Sequence, residues 1–137
     1  MRLWHKKLIP VLPRQQLLGQ WRECCCIASN LAKDGTPNHI LVNKILDYHI
    51  GHFYTYSIEC VAKEMISRGY KVSLDKFWNH FPMGESYIIP SFEDLYEGWH
   101  NDRYLNQCFH NLEEKYDCGG VTEEEWKLIS TFKQKHA

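Results

Sequence analysis

Glu23 is the first acidic residue of the chain and comes at the end of a basic strip. From Met1 to Arg22 the sequence contains five basic residues and no acidic one. Such a strip attracts polyanions, and a carboxylate within it weakens that attraction. A surface carboxylate beside an arginine is usually only a weakly stabilising ion pair, whereas a carboxylate in a polyanion-binding strip also suits acid–base catalysis. Glu23 is therefore the first candidate for a catalytic group.

Two other residue patterns could carry chemistry. His49 and His52 have the i, i+3 spacing of metal ligands on one helix face, but a chain with eight histidines produces such a pair readily by chance. Among three consecutive cysteines only Cys26 falls on a polar helix side, where a nucleophilic thiol is possible. We interpret the histidines as mainly structural and the cysteines as reduced, buried thiols. Since the usual glycine-loop, nucleophile-elbow and zinc motifs are missing from the sequence, we predict no metal and no cofactor.

The helix predicted from Arg14 to Ala32 positions Glu23. Its apolar residues recur at helical spacing and define a buried side of Leu17, Leu18, Trp21, Cys24, Cys25 and Ala28. The opposite side forms a polar stripe of Gln15, Gln16, Gly19, Arg22, Glu23 and Cys26. A glycine inside a helix costs roughly 1 kcal/mol relative to alanine. Gly19 therefore indicates either that something approaches the stripe closely or that a surface helix carries an incidental glycine.

The remaining pattern predicts an all-α fold, a compact single-domain bundle of three to four main helices with irregular connections over residues 1–137. Residues 1–13 carry two prolines and no helical period, which predicts an extended N-terminal arm on or across the surface. Residues 71–98 should be irregular, with a short extended piece at Lys71–Ser73. Four further helices are predicted. A short one is capped by Asn38 and ends at Leu46, and a long one runs from Ile50 to Arg68 and is stopped by Gly69. Another runs from Asn101 to Tyr116 and is stopped by Gly119 and Gly120, and the last runs from a Thr122–Glu125 capping box through Phe132.

The distribution of charge separates the two ends of the chain. The net charge is −1, yet residues 85–125 contain eleven acidic residues against two basic ones. A nucleic acid would therefore meet the N-terminal strip. The longest apolar stretch near the N-terminus, Leu8 to Leu12, is broken by Pro10 and is too short for a signal peptide or a membrane span. We expect a cytoplasmic protein that does not bind membranes; its oligomeric state is left open.

The run from Gln15 to Glu23, Gln-Gln-Leu-Leu-Gly-Gln-Trp-Arg-Glu, resembles the first helix of the phage-type pyrimidine dimer DNA glycosylases, the endonuclease V family. That family shows Gln-His-Leu-Met-Ala-Glu-Tyr-Arg-Glu at this place. Met1-Arg2-Leu3 is similar to the family's mature start, and Gly51-His52 and Arg68-Gly69-Tyr70 resemble its Gly-His and Arg-Gly-Phe. The likeness is closer still to a bacterial branch that begins with Met-Arg-Leu-Trp-His.

The resemblance implies a DNA repair glycosylase with abasic-site lyase activity on damaged, pyrimidine dimer-like double-stranded DNA. In this family the N-terminal α-amine attacks the sugar C1′, displaces the base and forms a Schiff base, after which β-elimination breaks the strand. An α-amine titrates near about 8 and a lysine near about 10.4, so the α-amine is the better nucleophile at neutral pH. Since Arg2 is too bulky for ordinary removal of the initiator methionine, the α-amine belongs to Met1. Glu23 stands at the position of the family's catalytic carboxylate, so the implied catalytic residues are Met1 and Glu23. The implied DNA-binding residues are Arg2, His5, Arg14, Gln16, Gly19 and Arg22.

Two positions depart from the family pattern. Gln16 stands where the family has histidine, and Cys26 stands where it has arginine. The phage enzyme is also basic, whereas this chain has a net charge of −1. Two alternatives therefore stay open at this point, a non-catalytic nucleic-acid or protein-binding module on the same scaffold and an enzyme acting on a small nucleotide.

Overall fold

The protein is built from α-helices, in a computed structural model that describes residues 1–82 and 88–136. No β-strand occurs in these residues, and the predicted all-α class is confirmed. A π-helical segment, Thr55–Ala62, joins two of the helices without a break, and 3-10 helices cover Lys6–Val11 and Asn43–Asp47. The α-helices are α1 (Arg14–Asp34), α2 (Ile50–Tyr54), α3 (Lys63–Ser67), α4 (Asp75–Trp78), α5 (Asp102–Asp117) and α6 (Glu123–Lys135).

Helix α1 begins where the sequence predicts and runs two residues past the predicted end, to Asp34. Most of the predicted apolar side is buried, while Leu18 and Cys25 are half-buried. Gln20 and Ile27, which were not predicted to be buried, also lie on the inner side of the helix, at 1% and 0% exposure. The buried side of α1 therefore includes a polar residue that needs hydrogen-bond partners.

The long helix predicted from Ile50 to Arg68 is present as α2, the π-helical segment and α3, and Gly69 follows it with φ of 89°. At its start, Gly51 lies against the backbone of residue 88. A Cβ on Gly51 would come within 1.7 Å of the Ile88 carbonyl oxygen, so only glycine fits there. This glycine docks a distant segment onto the first turn of α2.

Helices α5 and α6 form where the sequence predicts helices, within one residue at their N-terminal ends. The Asn101 side chain accepts a hydrogen bond from Tyr104 N at 2.9 Å, and Thr122 and Glu125 form a complete capping box. The two helices pack through Phe109 and Phe132, whose ring centroids are 6.0 Å apart. α6 extends to Lys135, beyond the predicted end at Phe132.

The prediction of an extended N-terminal arm was wrong. Residues Lys6–Val11 form a 3-10 helix, and the segment is largely buried under the other elements. Its apolar residues are too many to leave in water, because each buried aliphatic side chain stabilises the fold by about 1.5–3 kcal/mol. The fully or almost fully buried side chains of the segment are Leu3, Trp4, Leu8, Ile9 and Leu12.

Two smaller predictions also need correction. Asn38 does not cap a helix; it adopts a left-handed conformation with φ of 61°, and the next helix starts only at Asn43. No strand forms at Lys71–Ser73, and the segment predicted to be irregular contains α4, whose Phe77 packs 5.4 Å from the ring of Phe53. The part of that prediction covering residues 83–87 lies outside the described residues.

Among the described residues, no helix has the length and apolarity that a bilayer crossing requires.

Candidate active site

Met1 and Glu23 line one cleft of about 280 Å³. Met1 is 37% exposed, and Glu23 is half-buried on α1. No ion pair within 4.0 Å joins the Met1 amine to a carboxylate in the described residues. The full lining consists of Met1, Arg2, Trp4, Glu23, Leu41, Asn111 and Lys115.

Gln20 joins the start of the chain to the carboxylate. Its side-chain Nε2 donates to the Arg2 carbonyl oxygen at 2.9 Å and to Glu23 Oε2 at 3.2 Å. Its Oε1 accepts from Trp4 N at 2.7 Å. Because Gln20 is almost completely buried, these bonds are shielded from water and fix the backbone of residues 2–4 relative to Glu23.

Tyrosine hydroxyls from two other elements hold the same backbone. Tyr56, in the π-helical segment, donates to the Trp4 carbonyl oxygen at 2.5 Å and lies 3.0 Å from Gln20 Oε1. Tyr104 of α5 donates to the Leu3 carbonyl oxygen. The first residues of the chain are therefore positioned by α1, the π-helical segment and α5 together.

Two basic side chains, Lys6 and Arg68, form their contacts inside the protein. Lys6 is 5% exposed and its ammonium donates to the carbonyl oxygens of residues 92, 93 and 95 at 2.6–3.0 Å. Arg68 binds the carbonyl oxygens of Leu12, Ile9 and Pro10 at 2.9–3.3 Å, as well as Glu64 Oε2 at 2.8 Å. Both cations hold the N-terminal segment in place and are not available to a phosphate.

The arginines predicted to contact DNA remain at the surface. Arg14 and Arg22 are exposed and Arg2 is half-buried, with its guanidinium 5.7 Å from the centre of the Trp4 ring. None of the three forms an ion pair within 4.0 Å with a carboxylate of the described residues. A Cβ on Gly19 would meet nothing closer than the Arg22 guanidinium at 3.8 Å. Packing within the protein therefore does not require this glycine.

His5 is buried and Gln16 is half-buried, so of these two predicted DNA contacts only Gln16 stays a prediction. His5 is 1% exposed, its Nδ1 accepts from Lys7 N at 3.1 Å, and burial lowers its pKa to about 4. A neutral, buried imidazole cannot pair with a phosphate, so the prediction that His5 binds DNA was wrong. Gln16 is half-buried and its Oε1 is enclosed without a hydrogen-bond partner in the described residues.

The cysteines and the spaced histidines show no reactive arrangement. Burial raises the pKa of the Cys24 and Cys25 thiols, which keeps them protonated, while Cys26 is exposed. His49 Nδ1 accepts from Gly51 N and His52 Nδ1 accepts from Tyr96 N. Within the described part of the chain no three His, Cys, Asp or Glu side chains are grouped as metal ligands would be.

A family model for the pyrimidine dimer DNA glycosylases matches residues 1–77. The chain belongs to the pyrimidine dimer DNA glycosylase family. Family membership implies a DNA substrate, and the matched region contains Met1, Gln20 and Glu23. No curated protein and no solved structure matches the chain significantly.

In this glycosylase family member, four residues near the cleft were not singled out from the sequence. Gln20 was assigned from the sequence to neither side of α1, although its spacing of three residues from Leu17 and four from Cys24, both predicted to be buried, was a signal for burial. Leu41, Asn111 and Lys115 reach the cleft from loops and helices far along the chain. Asn111 and Lys115 lie beyond the matched residues, on α5, so sequence similarity to the family gave no indication of them.

Gly51, His52 and Arg68, which resemble the family beyond α1, have structural roles. Arg68 closes the end of the first 3-10 helix, and Gly51 admits the carbonyl of Ile88. His52 Nδ1 accepts from Tyr96 N at 3.1 Å and so holds the segment that follows residue 88. These positions build the scaffold around the cleft and do not line it.

Proposed function

We propose that the chain is a DNA glycosylase with abasic-site lyase activity on damaged double-stranded DNA, with the Met1 α-amine as nucleophile. The supporting observation is the shared cleft, which the first residue of the chain and Glu23 line together. At about 280 Å³ the cleft lies at the small end of ligand pockets. A pocket of this size suits one extruded sugar better than two stacked nucleotides.

The proposed reaction begins with attack of the unprotonated Met1 nitrogen on C1′ of the damaged nucleotide. The bond from C1′ to the base nitrogen breaks, and the base leaves with a proton. Opening of the sugar ring transfers a proton to O4′ and leaves a C1′=N⁺ Schiff base. Removal of a C2′ proton then expels the 3′ phosphate by β-elimination, and water hydrolyses the Schiff base to release the amine.

Glu23 is proposed to serve this sequence in two ways. Its charge stabilises the cationic sugar and the protonated Schiff base, and its free oxygen relays protons during ring opening and elimination. Oε2 is held by Gln20 Nε2, whereas Oε1 has no hydrogen-bond donor among the described residues. The carboxylate is thus oriented by one oxygen and available through the other.

Two exposed arginines and the half-buried Arg2 are proposed to hold the DNA. Arg2, Arg14 and Arg22 would contact phosphates, which orient the duplex but do not read its sequence. Gly19 would allow the sugar–phosphate backbone to approach α1. Lys115 and Asn111, which line the cleft from α5, would bind the phosphate next to the attacked sugar.

The proposal is tested by borohydride reduction of the protein mixed with a duplex that contains one abasic site. A covalent adduct on the Met1 nitrogen, located by peptide mass spectrometry, is the expected result. Lys115→Met is the matched control because it removes the other amine of the cleft; it should weaken binding while the adduct still forms. Acetylation of the N-terminus should abolish the adduct.

Other outcomes would select another function. An adduct that forms on Lys115, or survives acetylation, would remove Met1 from the mechanism. Absence of any adduct, with duplex binding that Glu23→Gln leaves unchanged or strengthens, would identify a non-catalytic DNA-binding module. Affinity for free nucleotides with little salt dependence would instead indicate an enzyme on a small substrate, because a small ligand releases few counterions.

A further inference from the structure

An exposed apolar tip projects from the turn formed by residues 39–43. Ile40 is 87% exposed and Leu41 is 50% exposed. The turn behind them is well ordered by its own hydrogen bonds, since the His39 carbonyl oxygen accepts from Val42 N at 3.0 Å and from Asn43 N at 2.9 Å. Val42 is fully buried and anchors the turn to the core. The two apolar side chains are therefore presented to solvent on a fixed base.

Side-chain hydrogen bonds stiffen the same turn further. His39 N donates to Asn43 Oδ1 at 3.1 Å, and Leu41 N donates to His39 Nδ1 at 3.2 Å. These bonds, together with those of the backbone, fix the turn through its own residues. A rigid tip loses little conformational entropy when it inserts into a ligand.

The tip stands at the rim of the proposed catalytic cleft. Leu41 lines that cleft together with Met1 and Glu23, and it also lines a neighbouring groove of about 200 Å³. Ile40 lines the neighbouring groove and is not among the residues that line the cleft. A duplex that delivers the C1′ of one nucleotide to Met1 must lie across this rim, so these two side chains face the DNA.

Cations flank the tip on the side of the groove. Lys44 and Arg103 line the groove, both are exposed, and neither pairs with a carboxylate within 4.0 Å in the described residues. Apolar side chains bordered by unpaired cations suit a bent duplex, in which aliphatic residues enter between base steps and cations hold the adjacent phosphates. A protein partner would not need the tip to border the catalytic cleft.

We propose that Ile40 and Leu41 form a wedge that inserts into duplex DNA beside the nucleotide whose sugar enters the cleft, with Lys44 and Arg103 on the flanking phosphates. The inference rests on the proposed function because the cleft sets where the DNA lies. The wedge fills the space that the extruded nucleotide leaves and so favours the extruded state. An abasic site in a single strand has no stack to open and does not need the wedge.

The test compares the wild type with Ile40→Ala, because Ile40 does not line the cleft and its loss leaves the reacting groups intact. The rate of borohydride trapping is measured on an abasic site in duplex and in single-stranded DNA. We expect the duplex rate to fall about tenfold, the scale of losing one buried aliphatic contact, while the single-strand rate stays within about twofold. Leu128→Ala, which truncates another exposed leucine on α6, is the control and should change neither rate.

A second readout does not depend on the chemistry. A duplex with 2-aminopurine next to the abasic site should brighten when the wild type binds, because insertion unstacks the reporter base, and should brighten much less with Ile40→Ala. Equal duplex rates or equal fluorescence for the two proteins would overturn the wedge. If the wild type forms no adduct on either DNA, the proposed amine chemistry fails, and the fluorescence comparison alone decides the wedge.

Discussion

The side-chain amide nitrogen of Gln20 lies 3.2 Å from Glu23 Oε2, one helical turn away on α1. The same nitrogen binds the Arg2 carbonyl oxygen at 2.9 Å. One buried amide thus connects the carboxylate to the backbone that carries Met1. The relative position of amine and carboxylate in the proposed mechanism depends on this bridge.

Replacing Gln20 with methionine should therefore affect both stability and positioning. Trp4 N and the Arg2 carbonyl oxygen lose their Gln20 partners, which should lower the free energy of unfolding by about 2–4 kcal/mol. In the proteins that remain folded, the trapping rate should fall by roughly tenfold or more, because small displacements of reacting groups are costly. Urea denaturation and single-turnover trapping measure the two effects.

Gln15→Met is the matched control for this change, since Gln15 is exposed on the same helix. It should alter neither stability nor trapping. A purely structural Gln20 would lower stability but leave the single-turnover rate of the folded fraction at the wild-type value.

Gly19→Ala should make the free protein more stable and bind DNA less well. The added Cβ meets no atom closer than 3.8 Å, and alanine is favoured over glycine in a helix by about 1 kcal/mol. If the DNA backbone approaches α1 at this point, the methyl group obstructs it. Thermal denaturation and duplex binding should therefore change in opposite directions, and unchanged binding would mean that the glycine is incidental.

Arg68→Met should destabilise the protein without touching the cleft. The guanidinium holds three carbonyl oxygens at the end of the first 3-10 helix and one oxygen of Glu64. Hydrogen bonds to charged groups are worth about 1.5–3 kcal/mol, and a loss of about 2–3 kcal/mol is expected because the site is only part-buried. Arg68→Lys should recover only part of the loss because an ammonium cannot reproduce the fork geometry. Equal stability of all three proteins in urea would refute this role.

Acid should destabilise the fold through buried histidines. Burial lowers the pKa of His100 to about 2 and that of His5 to about 4, whereas both titrate near about 6.5 when unfolded. As the pH falls below 6.5 the unfolded chain takes up protons that the folded chain does not, so the free energy of unfolding decreases. His100 lowers the free energy of unfolding as the pH falls to about 2, and His5 does so down to about pH 4. For each histidine the free energy of unfolding changes by at most about 1.4 kcal/mol per pH unit.

His100→Asn isolates the larger contribution. The asparagine Oδ1 can replace His100 Nδ1 as the acceptor for Lys6 N, a bond of 2.9 Å in the native protein. Urea denaturation between pH 4 and pH 6.5 should then show a shallower dependence for the variant than for the wild type. Parallel curves would mean that His100 is not the group that titrates.

Some predictions from the sequence stay predictions. These are the single-domain organisation, the cytoplasmic location and the membership of a bacterial branch within the family. The family itself is shown, and the match ends at residue 77, close to where the resemblance in the sequence fades. That the DNA lesion is pyrimidine dimer-like is likewise a prediction.

The sequence alone determined the main helices and the position of Glu23 on α1. Hydrophobic periodicity and the Thr122–Glu125 box are local signals, because they depend on residues within a few turns of each other. Local signals gave the wrong prediction for residues 1–13, which were expected to form an extended arm. Their burial depends on contacts with distant elements, such as the bond from Lys6 N to His100 Nδ1, ninety-four residues away.

Only the tertiary structure decided which polar groups remain available at the cleft. Lys6 and Arg22 look equivalent in a basic strip, yet Lys6 is enclosed by carbonyl oxygens while Arg22 stays exposed. Gln20 likewise reads as one more polar residue until the N-terminal backbone folds against it. Lys115 and Leu41 join Met1 because packing brings separate segments together, and no spacing along the chain encodes a contact between residues so far apart.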